Sequence, residues 1–90
     1  MQFTKRLHAG IEAGTIICTV RIWKRPLAKV CGHYRVGRGP VEVDSIHRIM
    51  LDDITPELVH RSGFDGVVDL LKVAKHGTGE QVNLIEFSLR

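Results

Sequence analysis

The sequence predicts an α+β domain built around a small, largely antiparallel sheet, and three observations carry that prediction. Strand-like segments lie near residues 16–23, 33–37, 41–51 and 82–89, whereas helix-like apolar spacing and helix start and stop signals lie near 4–14, 55–63 and 66–75. The resulting order is helix, strands, two helices, strand, without the regular strand–helix alternation of a parallel α/β sheet. Ninety residues, 43% of them hydrophobic, make one domain (1–90) with one core, because folding at this size buries only about 60–65% of the unfolded surface.

Thr4 is placed to cap a first helix whose Leu7, Ile11 and possible third apolar position Ala13 face inward, with Gly14 as the left-handed residue that ends it. The first strand runs from about Ile16 to Trp23 and stops at Pro26. Residues 27–32 then read as a loop carrying Lys29. His33 to Gly37 reads as a second short strand and residues 37–40 as a tight turn. Val41, Val43 and Ile46 begin a longer strand that reaches about Leu51. Thr55, Pro56 and Glu57 place a cap, a proline at the first helical position and an acid in the first turn, a strong helix start that Gly63 ends. Phe64 is placed to plug the core. A third helix from about Gly66 to Lys75 buries Val67, Leu70, Leu71 and Ala74, residues 76–79 close it, and Val82 to Leu89 form the last strand.

Function is most legible in the run from Thr19 to Pro26. In an extended chain Cys18, Val20 and Ile22 share one face, while Thr19, Arg21 and Trp23 share the other. A hydroxyl, a guanidinium and an indole together suit a planar, partly anionic ligand such as a nucleotide or RNA. The charge distribution points the same way. Residues 1–38 hold eight cations against Glu12 alone, net plus seven, and residues 39–90 hold five cations against nine acids, net minus four. A basic half of this kind steers polyanions to one side of a molecule.

Structural roles compete for several of these residues. Arg21 could pair with Glu42 or Asp44 on a neighbouring strand, and Trp23 could be a partly buried aromatic whose N–H finds a carbonyl. Tyr34 reads as core. Lys72, Lys75 and His76 complement a helix C-terminus, and Asp52 and Asp53 fit capping better than chemistry. Gly37 and Gly39 fit a hairpin turn, since the parallel strand and following helix of a phosphate loop are missing. Two cysteines, Cys18 and Cys31, are too few for a disulfide scaffold, so a reducing, cytoplasmic setting is expected. The scattered histidines lack metal-ligand spacing, and no metal or other cofactor is expected. The chain carries no apolar run approaching about 18 residues and no recognisable signal peptide, which argues against membrane insertion.

Five features in order resemble the ASCH (activating signal cointegrator homology) domain family. They are a leading helix ending at Ala13 and Gly14, the strand from Thr19 to Trp23, and a Gly-bounded strand from Tyr34 to Gly37. An acidic-ended strand into Asp52, Asp53, Ile54 and Thr55 follows, then Ser62, Gly63 and Phe64 before a helix with Leu70 and Leu71. The resemblance implies a compact, PUA-like antiparallel or mixed β-barrel with about three helices around it. A ligand cleft would lie between barrel and first helix, faced by Thr19 and Arg21 and bordered by Lys5, Arg6, Lys24 and Arg25. Some small members of the family act as amidohydrolases on N4-acetylcytidine through a lysine, a threonine and a glutamate. Thr19 matches the threonine, but the lysine position falls on Ile16 and the glutamate position on Ser62, and Lys24 lies five residues beyond Thr19 instead of three before it.

The expected function is therefore a single-domain RNA- or nucleotide-binding module using Thr19, Arg21, Trp23, Lys24, Arg25, Lys5 and Arg6. The alternatives are a small hydrolase of modified nucleosides with Thr19 and Lys24 as weak catalytic candidates, a metal-independent ribonuclease using His33 or His8, and a protein-docking domain with Trp23 and Leu27 exposed.

Overall fold

The structure, a computed structural model, describes residues 3–23, 28–36, 39–74 and 81–89. Its elements are α1 (Lys5–Glu12), β1 (Cys18–Trp23), β2 (His33–Val36) and β3 (Gly39–Ile49), then α2 (Pro56–Arg61), α3 (Val67–Ala74) and β4 (Gln81–Leu89). A 3-10 turn, Leu51–Asp53, joins β3 to α2. The protein is α+β, with three helices against a curled, four-stranded antiparallel half-barrel of order β1-β4-β3-β2. The last strand thus lies between the first and the third. A register shift between Val43 and Ser45 interrupts the β3–β4 ladder, and a bulge of this kind bends a strand and sharpens its twist.

Local sequence explains the helix ends. Thr55 Oγ1 accepts a hydrogen bond from the Leu58 amide at 3.2 Å, with Pro56 at the first helical position, as its Thr-Pro start predicts. Thr4 stands at the corresponding position of α1 in an extended conformation but makes no side-chain cap bond. Gly14 and Gly63 have φ of 78° and 90°, the left-handed conformation that stops a helix and that glycine adopts without strain. Asp53 does cap: its Oδ2 accepts from the Met50 amide at 2.8 Å.

The larger core cluster joins Cys18, Val20, Ile22 and Val82 of the sheet to Leu7 and Ile11 of α1. Leu58 and Val59 of α2, Phe64, and Leu70 and Ala74 of α3 complete the helical side. A second, smaller cluster of Trp23, Val43 and Ile85 has Ala28, Tyr34 and Ile46 packed against it. All six residues of β1 are therefore buried.

Four sequence expectations need correction. Strand β1 begins at Cys18, leaving Ile16 and Ile17 outside it, and Ala13 is exposed at the end of α1 rather than turned inward. Val67 is 44% exposed, so α3 buries Leu70 and Ala74 and half-buries Leu71 without it. The long strand ends at Ile49, two residues early, where the 3-10 turn takes over. The turn residues 37 and 38, the loop residues 24–27 and the segment 75–80 lie outside the described residues. Among the described residues no helix is long and apolar enough to cross a membrane.

Candidate functional site

The alternation predicted for β1 holds: Thr19, Arg21 and Trp23 lie opposite Ile85, Asn83 and Gln81 of β4, so these six positions share one face of the sheet. That face is covered. Thr19, Arg21 and Asn83 are 5%, 4% and 4% exposed, and together with Ser62 they are the buried polar residues of the described chain.

The geometry centres on Arg21. Its Nε donates to Thr19 Oγ1 at 3.3 Å, and its Cζ lies over the Phe3 ring, 4.9 Å from the centroid. Phe3 in turn meets Phe87 edge-on, with centroids 5.4 Å apart and planes at 64°. Burial lowers the Arg21 pKa below the ordinary arginine value, because withdrawal from water disfavours the charged form. A guanidinium cannot be deprotonated in a protein, so the charge remains and the hydroxyl and ring face offset part of the lost hydration. Asn83 Nδ2 donates to Gln81 O at 3.0 Å, and β3 sets the exposed Arg48 opposite Asn83. The row Arg21–Asn83–Arg48 thus crosses three strands.

Phe3 and Asn83 are the residues that sequence reasoning missed. Phe3 immediately precedes the Thr4 cap position, where an apolar side chain commonly fixes the entry into a helix. Here His8 Nε2 lies 3.2 Å from Phe3 O and holds that entry. Asn83 carried its own signal, as an amide among the apolar residues of a strand that pairs on both sides.

Of the expected cleft residues, Lys5 and Arg6 are exposed on the first turn of α1, next in sequence to Phe3 and Thr4. Arg6 is also tied down: its Nη2 donates to Gly63 O at 3.2 Å, and its Cζ lies 5.1 Å from the Phe64 ring centroid. Lys24, Arg25 and Leu27 lie outside the described residues.

Trp23 corrects the sequence reading most sharply. At 3% exposure it belongs to the Val43–Ile85 cluster, so it offers neither a stacking surface nor an exposed docking patch. The reason is side-chain packing: Val43 of β3 and Ile85 of β4 bury the indole, with Ala28, Tyr34 and Ile46 packed against them. The suggested pairing of Arg21 with Glu42 or Asp44 across adjacent strands also lapses, because β4 separates β1 from β3. Glu42 bonds His33 at 2.7 Å, and Asp44 accepts from Ser88 at 3.1 Å.

The positions matched to an amidohydrolase motif hold structural contacts. Ile16 wedges between Gly10 and Gly63, where a Cβ added to either glycine would come within 2.5 or 2.6 Å of its Cδ1. Ser62 is buried with its Oγ 3.6 Å from Cys18 Sγ. Thr19 is likewise buried, and its Oγ1 accepts from the Arg21 guanidinium. No family model, no curated protein and no solved structure matches the chain.

Proposed function

We propose that this chain is an ASCH-type RNA- or nucleotide-binding module, working in the cytoplasm. The observation that carries the reading is the Phe3 ring, which packs on the Arg21 guanidinium held by Thr19 and precedes the exposed cations Lys5 and Arg6 of α1 by two and three residues. Lys5 and Arg6 supply phosphate contacts, Phe3, half-buried, replaces Trp23 as the aromatic surface, and Arg21, buried behind it, holds the ring in place rather than touching the ligand. The free thiols of buried Cys18 and exposed Cys31 suit a reducing compartment.

Fluorescence anisotropy with labelled single-stranded RNA of mixed sequence, across a salt series, tests the reading. Affinity should fall as salt rises, and the Lys5→Ala/Arg6→Ala double variant should flatten the slope of log K against log salt by about 1.4, about 0.7 for each lost phosphate contact. Absence of binding by the parent protein at low salt, or an unchanged slope in a folded double variant, would overturn it.

A further inference from the structure

The surface of the segment 48–69 pairs exposed hydrocarbon with carboxylates. Of the seven exposed large hydrophobic residues among those described, four fall here: Met50 at 71%, Leu51 at 59%, Val67 at 44% and Val68 at 62%. Scattered apolar residues are normal on a surface, but exposed ones that line hollows, as Met50, Leu51 and Val67 do, mark an interaction site. Two hollows flank the 3-10 turn. One, of about 320 Å³, is lined by Ile54, Pro56, Val59 and Val67 with His60 and Asp65 at its polar edge. The other, of about 280 Å³, is lined by Ile49, Met50, Leu51 and Val82 with Arg48 and Asp52. Each has room for one or two aliphatic or aromatic side chains.

Charge selects the occupant. Residues 48–69 contain Asp52, Asp53, Glu57, Asp65 and Asp69, all exposed, against two permanent cations, Arg48 and Arg61. This surface repels phosphate, so it does not extend the RNA site proposed above. It attracts lysine and arginine, while the hollows take apolar side chains from the same ligand. We propose that this face docks a basic amphipathic segment of a partner protein, its apolar residues in the two hollows and its cations against Asp52, Asp65 and Asp69. The arrangement is that of a helix-in-groove contact with complementary charge at the rim.

The test is an NMR titration of the isotopically labelled protein with two synthetic peptides. One carries leucines at helical spacing and lysines elsewhere, and the other replaces each lysine by glutamate. The lysine peptide should give saturable shifts concentrated in residues 48–69, and the glutamate peptide should bind at least about tenfold more weakly. Asp65→Lys/Asp69→Lys should weaken the lysine peptide about fivefold or more. Val67→Gln, which removes hydrocarbon from the wall of the larger hollow at a 44% exposed position without adding charge, should also weaken it. Equal binding of both peptides, or shifts spread over the whole surface, would overturn the proposal. So would self-association of the protein alone that Val67→Gln abolishes, since the occupant would then be a second copy of the chain.

Discussion

Arg21 Cζ sits 4.9 Å from the centroid of the Phe3 ring, so the most deeply buried cation of the described chain is faced by an aromatic from outside the sheet. The contact links the segment before α1 to the first strand. A double-mutant cycle with Phe3→Leu and Arg21→Met isolates it, because leucine keeps most of the hydrocarbon and methionine most of the stem. Urea denaturation should give a coupling energy of about 1 kcal/mol, within the range for a desolvated cation–π pair. Additive single effects would show that ring and guanidinium are neighbours without interacting.

The same burial fixes the sign of a pH prediction. The folded-state pKa of Arg21 lies below its unfolded value, because burial disfavours the charged form. A base shifted this way weakens the fold at every pH below its folded pKa, and the penalty lifts only as pH rises through that value. For arginine that window lies in strong alkali. The stability difference between the parent and Arg21→Met should therefore be the same at about pH 6 and about pH 8. A difference that changed across that interval would mean that another titrating group is coupled to position 21.

Trp23, the chain's single tryptophan, reports on the second core cluster. Its native fluorescence should be blue-shifted and resistant to acrylamide quenching, with a red shift on unfolding. Trp23→Ala should cost about 3–5 kcal/mol, a large part of the stability of a small domain. Native emission at the position of exposed tryptophan would contradict its placement beside Val43 and Ile85.

Trp23 also marks where sequence reasoning stops. Period-two alternation correctly put Thr19, Arg21 and Trp23 on one face, because it depends only on the extended backbone. Whether that face meets water depends on Phe3, Val43 and Ile85, which are distant in sequence. The α2 start was legible for the opposite reason: Thr55, Pro56 and the Leu58 amide lie within four consecutive residues. Val67 failed because helical spacing gives the apolar stripe but not where the partner surface ends.

The two helix starts allow a paired comparison. Thr55→Ala removes a side-chain oxygen that accepts from Leu58 N and should cost about 1 kcal/mol. Thr4→Ala removes a hydroxyl that makes no cap bond and should change thermal stability by less than half as much. Equal losses would show that the Thr4 hydroxyl caps α1 in solution.

Gly14 and Gly63 separate backbone strain from steric crowding, because both are left-handed and only one is packed. At Gly14 an added Cβ meets nothing within 4 Å, so Gly14→Ala should cost only the left-handed penalty of about 1–2 kcal/mol. At Gly63 the same atom would lie 2.6 Å from Ile16 Cδ1 and 2.8 Å from Leu7 Cδ2, where α1 meets the end of α2. Gly63→Ala should add an overpacking cost of about 1–3 kcal/mol to the backbone penalty. Gly63 O also accepts the Arg6 bond, so displacement there should loosen the α1 surface and shift the amide resonances of Lys5 and Arg6. Matching losses for the two variants in urea denaturation would mean that Ile16 and Leu7 move aside freely, and that α1 is packed less tightly against this corner than its buried Leu7 and Ile11 imply.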